Sequence, residues 1–232
     1  GQAGWARGAG DVVGEVGCPC DAGPVYQENI EAVFFEHFLK GHGELDLPEA
    51  YVFETGRNRW RTFADWPPEA AEARTLYFQA GGGLDFEPSS VSSGTAYDEW
   101  ISDPWNPVPF TPDIAPGMTR EYMVDDQRFA SRRPDVVVYR TEPLREDVTL
   151  VGPLLADLWV STSGSASDWI VKLVDVFPPD TPDHDGLPRG VPMGGYEMMV
   201  RSEVIRGRFR NSPRVPEPFV PGEPTRVRLP LQ

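Results

Sequence analysis

The sequence predicts a mainly β fold. Proline (25) and glycine (23) punctuate it heavily, aromatic residues make up 11% of it, and apolar runs of strand length alternate with turn residues. That combination suits short strands joined by many turns better than long helices. At 232 residues the chain can bury a sizeable core, as one large domain or one domain with an appendage. A hydrophobic fraction of 40% with 25% charged residues is that of a globular protein, and no apolar run approaches the roughly 18 residues of a membrane helix, so no membrane association is expected. The net charge of -15 repels phosphate backbones, which excludes a nucleic-acid partner as the expectation.

Residues 1–24 are rich in Gly and small side chains, with Trp5 the only aromatic, and read as an irregular connection. Gly1 to Gly10 lacks the basic stretch and apolar core of a signal peptide, and a first residue that is Gly rather than Met suggests a processed chain or part of a longer protein. Cys18 and Cys20 sit in a Cys-Pro-Cys run too short to close an ordinary loop and without a second pair for zinc. They are expected to be small buried or free thiols rather than a redox or metal centre.

From Tyr26 to Lys40, Ile30, Val33, Phe34, Phe38 and Leu39 recur at helical spacing with Glu28, Glu31 and Glu36 between them, and Gly41 supplies a stop. The spacing predicts one amphipathic helix, whose apolar face must cover a neighbour. Strands are predicted at Ala50 to Glu54, from the turn Arg57 to Trp60 onward, and at Leu76 to Ala80, the last ended by Gly81, Gly82 and Gly83. Residues 87–135 form a stretch longer than most loops of compact domains. Strands return at Val136 to Arg140, Thr149 to Val151, Leu154 to Thr162, Trp169 to Phe177, Tyr196 to Ile205 and Thr225 to Leu231. Trp169 to Val176 is apolar on both alternating faces except for Lys172 and Asp175, as in a two-sheet sandwich. Lys172 is expected to pair with a carboxylate such as Asp168 or Asp175, or to snorkel to an edge.

Nucleophilic hydrolysis in an α/β-hydrolase needs a serine in Gly-x-Ser-x-Gly, and the sequence contains no such pentapeptide. His37, His42 and His184 read as surface or capping residues rather than catalytic bases. Asp180, Asp183, His184, Asp185 and Gly186 resemble a calcium loop only loosely, since the spacing fails the EF-hand pattern, and a solvated turn is expected there. No metal or cofactor is expected. The aromatic residues Trp100, Trp105, Phe110 and Tyr122 of the long loop are candidates to line a substrate pocket, with burial in the core as the alternative for each.

Several motifs in order carry a family resemblance: Glu54-Thr55-Gly56-Arg57-Asn58-Arg59-Trp60-Arg61 after the helix, the loop Ser102 to Pro109 with Asp103, Asp126-Gln127-Arg128-Phe129, Arg133-Pro134-Asp135-Val136, the strand Ser167 to Val176 containing Asp168, Lys172 and Asp175, and Met193-Gly194-Gly195-Tyr196-Glu197. Over nearly all of residues 27–232 they resemble the C-terminal part of serine hydrolases of the α-amino-acid ester hydrolase and cocaine esterase type, a group that includes X-Pro dipeptidyl peptidases. The resemblance implies a jelly-roll (galactose-binding-like) β-sandwich over residues 48–232, preceded over 1–47 by the end and last helix of an α/β-hydrolase domain. It implies an acyl-serine mechanism on a small-molecule ester or amide, with Ser, Asp and His all upstream and Gly1-Gln2 just past the catalytic His. The α/β-hydrolase domain of the same protein would be the main partner, with room for a homo-oligomer. It also implies two further strands beyond Leu231, whose omission would expose sheet edges. The competing function is a stand-alone β-sandwich binding module for carbohydrate or another small ligand. The helix favours the hydrolase reading.

Overall fold

The computed structural model describes residues 12–13, 15–17, 20–90, 97–114, 117, 121–183 and 191–231. Trp5, Cys18, His184, Asp185 and Gly186 lie outside them. Among the described residues the architecture is mainly β, with strands arranged as two-stranded antiparallel ladders and few helices. The chain divides into two compact units, Gly1–Tyr122 with Gln127–Val151, and Met123–Asp126 with Gly152–Gln232.

The first unit opens with a small ladder, β1 (Val12–Val13) and β2 (Val16–Gly17), where the sequence suggests only irregular structure. A helical stretch follows as α1 (Ala22–Tyr26), a π-helical turn (Gln27–Glu31) and α2 (Ala32–Lys40). Gly41 ends it at φ 67°, a left-handed conformation open to glycine, and its N–H bonds the His37 carbonyl at 3.0 Å. Lys40 pairs with Glu36 one turn back, and this bond holds the Glu36 carboxyl below its usual range.

Strands β3 (Ala50–Glu54) and β4 (Arg59–Phe63) form a hairpin with Glu54 opposite Arg59. The turn between them uses Gly56 and Asn58 at positive φ. Glu54 faces the guanidinium groups of Arg59 at 2.8 Å, Arg61 at 3.4 Å and Arg57 at 3.7 Å. Arg59 foremost pulls its carboxyl below the ordinary range. The Trp60 indole donates to the Cys20 carbonyl at 2.7 Å and ties this hairpin to the chain before α1. Cys20 is buried and disulfide-bonded, so the free-thiol expectation fails for it.

Strands β5 (Tyr77–Gln79) and β6 (Gly83–Asp85) turn through Gly81 and Gly82, both at positive φ. Val136 to Arg140 is not a strand as predicted, and neither is Thr149 to Val151. Arg140 makes a single parallel bridge with Gly83, through Arg140 N–H to the Gly82 carbonyl and Leu84 N–H to the Arg140 carbonyl, each 2.8 Å. A short run of β-branched and apolar residues alone does not make a ladder; a partner edge must run alongside for several residues.

The second unit holds β7 (Leu154–Val160), β8 (Asp168–Val176), β9 (Glu197–Arg206) and β10 (Thr225–Leu231). β7 pairs with β10 and β8 with β9. Ala156, Trp169, Phe219, Val227 and Leu229 form the buried core, flanked by Leu158, Val160, Val171, Ile205 and Leu231. Every second residue of β7 and β10 enters it, as the two-residue side-chain period of a strand requires. β8 is less evenly buried than its composition suggests, because Trp169 is 8% exposed while its neighbour Ile170 and the cross-strand Val204 are 63% and 57% exposed.

On the outward face of the β7–β10 ladder, Asp157 takes a bidentate pair from Arg226 at 2.8 and 2.6 Å, with Arg228 3.5 Å away. Arg226, then Arg228, depress the Asp157 carboxyl below its ordinary 3.8. A carboxyl depressed by folding contributes stability above that value and loses it as the pH falls through the depressed one. Asp157→Asn should therefore lower the urea midpoint at about pH 7 and lower it by less near pH 2. A loss of equal size at both values would show that the pairing contributes nothing.

Candidate functional site

The long stretch that carries the candidate pocket residues is held to the 133–140 stretch at two described points. Tyr139 lies flat on Phe78, ring centroids 4.0 Å apart, and its hydroxyl donates to Asp98 at 2.6 Å. Burial, reinforced by the Asp98 carboxylate, raises the Tyr139 hydroxyl well above the usual tyrosine range, so it stays a donor. The second point is Arg133, whose Nη2 donates to the Asn106 carbonyl at 3.3 Å. Its Nε and Nη2 form a fork onto Asp135 at 2.8 and 2.6 Å.

Between these points Asp103 shapes a tight turn. Its carboxylate accepts the Trp105 N–H at 2.9 Å and its carbonyl the Asn106 N–H at 3.1 Å. Pro104 and Pro107 flank the tip and fix φ there. The outcome is an indole aimed outward: Trp105 is 94% exposed.

Trp100 is 40% exposed and Phe110 58%, and Phe110 packs on half-buried Tyr122 at 4.9 Å between centroids. Phe110 and Tyr122 are thus brought together. Two clefts of this unit lie elsewhere, one lined by Tyr26, Ile30, Glu31, Phe34 and Phe35, the other by residues that include Asn29, Tyr51 and Phe63. Neither contains any of the four aromatic candidates.

In the second unit the short segment Met123–Asp126 runs onto the β8–β9 ladder. Tyr196, 0% exposed, donates its hydroxyl to the Val124 carbonyl at 2.8 Å. Asp126 bridges to Met198, and its carboxylate accepts the Glu197 N–H at 3.3 Å. Burial lowers the Lys172 ammonium from its usual value, and the charge of Asp125 on the 123–126 segment opposes that. Asp168 sits at the far end of β8 opposite Arg206, with Arg206 Nε 3.9 Å from its carboxylate, and Asp175 lies three positions along β8 from Lys172, an odd step that sends strand side chains to opposite faces. The Asp175 carboxyl is raised by desolvation although the residue as a whole is exposed. Arg128 lies in the first unit at the start of α3 (Arg128–Ser131), so the Asp126-Gln127-Arg128 motif straddles a unit boundary.

His37 Nδ1 is 3.1 Å from the Gly43 carbonyl and His42 lies 3.5 Å from Glu36, both at the end of α2. One ion pair of the site is not legible in the sequence. The Arg133–Asp135 fork forms across a turn in which the Val136 N–H bonds the Arg133 carbonyl at 3.3 Å, and no periodicity signals it. The apolar face of α2, which the sequence requires to cover a neighbour, is exposed: Phe34, Phe35, Phe38 and Leu39 are 43%, 47%, 58% and 76% exposed.

Comparison with known proteins gives consistent results. The family described as the X-Pro dipeptidyl-peptidase C-terminal non-catalytic domain matches residues 44–232. A cocaine esterase from Rhodococcus sp. (strain MB1 Bresler) is 31% identical over 153 residues, 62% of this chain and 27% of the esterase. An aminopeptidase from a marine sediment archaeon, Thaumarchaeota archaeon, superposes with a TM-score of 0.85 at 37% identity, covering 96% of this chain and 36% of that one. An α-amino acid ester hydrolase superposes with a TM-score of 0.83 at 34% identity, over 96% and 37% of the two chains. The chain thus spans about a quarter to a third of the length of these relatives. On the match over residues 44–232, the chain belongs to the family of X-Pro dipeptidyl-peptidase C-terminal non-catalytic domains.

Proposed function

We propose that this chain is the C-terminal, largely β portion of a serine hydrolase that cleaves esters or amides of small acyl groups, its jelly-roll sandwich supporting an α/β-hydrolase domain of the same protein. In this reading residues 1–47 belong to the end of the hydrolase domain and 48–232 to the sandwich. The serine of the hydrolase domain attacks the acyl carbon and expels the alcohol or amine, and water then releases the acid. The Trp105 turn faces the mouth of the acyl pocket.

One observation carries the reading: α2 presents Phe34, Phe35, Phe38 and Leu39 to solvent from a single helix. A helix face of that size is left bare only where another body covers it. The relatives supply the room for such a body, since this chain covers 36–37% of the two superposed structures.

The test uses the full-length protein. Phe38→Asp with Leu39→Asp should lower its thermal midpoint and its turnover of p-nitrophenyl esters by at least about tenfold, because each side chain is worth about 1.5–3 kcal/mol when buried. Wild-type stability and turnover in the double variant would refute the docking. Trp105→Ala should leave turnover of small acyl esters intact and reduce that of bulky aromatic ones. An unchanged ratio of kcat/KM values would remove Trp105 from the pocket.

A further inference from the structure

We infer that Arg133 is a positioning residue for acyl-group selection: its guanidinium, locked by Asp135, holds the Asn106 carbonyl and so fixes the turn that aims Trp105. The inference rests on the reading that the Trp105 turn meets the acyl pocket.

An indole exposed at 94% has almost no packing of its own to orient it. Its direction is inherited from the backbone of the Asp103–Asn106 turn. Asp103 closes that turn internally through the Trp105 and Asn106 N–H groups, which sets its shape but not its place. Place comes from Arg133, whose Nη2 reaches the Asn106 carbonyl from 27 residues away in sequence.

A guanidinium on a long, flexible stem makes a poor anchor unless it is itself held. Asp135 holds it by the two-point fork, and the pair is shielded, with side chains 24% and 19% exposed. One planar group therefore ties three things: the turn carbonyl, the Asp135 carboxylate and the backbone of the 133–135 segment. The Tyr139 to Asp98 bond fixes the other end of the same loop to the same stretch, so loss of Arg133 frees the tip without releasing its base. A shift of the tip by even an ångström is enough to alter selection at a pocket wall.

The experiment is a double-mutant cycle in the full-length protein with p-nitrophenyl acetate and p-nitrophenyl phenylacetate as probes. Arg133→Met should lower the kcat/KM ratio of phenylacetate over acetate by about tenfold, with the acetate value near wild type. Arg133→Met combined with Trp105→Ala should be no worse than Trp105→Ala alone, since both remove the same contact. Asp135→Asn, which keeps an acceptor for the guanidinium but drops the charge, should give a smaller shift in the same direction and serves if Arg133→Met does not fold. A Trp105→Ala effect with wild-type selectivity in Arg133→Met, or in Asp135→Asn where that variant must serve, overturns the inference and leaves the pocket reading standing. Multiplying effects in the double variant also overturn it. A silent Trp105→Ala defeats the pocket reading itself, and this inference with it.

Discussion

Gly207→Ala is expected to destabilise the second unit by about 3 kcal/mol, the upper end of the usual cost of overpacking. Gly207 opens the single helical turn Gly207–Phe209 directly after β9. A Cβ there would lie 2.5 Å from the Ser167 carbonyl oxygen and 2.5 and 2.7 Å from Cε2 and Cζ of Phe219. The carbonyl cannot retreat cheaply, because it accepts the Gly207 N–H at 2.9 Å. Nor is the ring free: Phe219 is 3% exposed in the core, its N–H bonds the Ser165 carbonyl at 2.9 Å, and the Arg210 guanidinium sits 4.6 Å from its centroid. Phe219→Leu, which shortens the ring side of the clash, should not rescue Gly207→Ala, since the Ser167 carbonyl remains. The measurement is the urea midpoint of the full-length protein, and an unaltered midpoint in Gly207→Ala would show that the strands have room to part.

Tyr196→Ala is expected to cost about 4 kcal/mol, as for other large aromatic truncations in a core. The side chain is 0% exposed and its ring lies 5.7 Å from that of Phe177. Its hydroxyl also reaches across 72 residues of sequence to the Val124 carbonyl. Tyr196→Phe keeps the ring but strands that carbonyl, and should cost about 1–3 kcal/mol. The two variants separate packing from anchoring. In Tyr196→Phe the amide of Glu197, which donates to Asp126, should exchange faster with solvent while β10 amides keep their protection. A cost below about 1 kcal/mol for Tyr196→Ala would mean that the core around Met193 and Tyr196 closes over the gap.

Much of the second unit was legible before any coordinates. The four predicted runs from Leu154 onward became β7 to β10 with ends shifted by one or two residues, because alternation of period two and flanking turn residues are local signals. The helix was legible for the same reason, its apolar spacing and its Gly41 stop being written within one segment. Val136 to Arg140 differs, since its apolar β-branched run is real but its only ladder contact among the described residues is at Arg140. A carboxylate for Lys172 is expected from the sequence, but that the charge of Asp125 acts on it from a segment 47 positions earlier is not.

The site divides along the same line. Which residue types could meet a substrate, namely Trp100, Trp105, Phe110 and Tyr122, was visible in composition; how they are deployed was not, because exposure depends on everything folded nearby. The order of motifs along the chain was enough to point to the family, and the strand periodicity to a mainly β fold. Only the tertiary structure decided that Arg133 reaches Asn106, that Tyr196 holds Val124 and that α2 keeps its aromatic face bare. Periodicity is a property of neighbours in sequence, whereas a clamp is a meeting of segments far apart, and that meeting is fixed only when strand register places them within hydrogen-bonding distance.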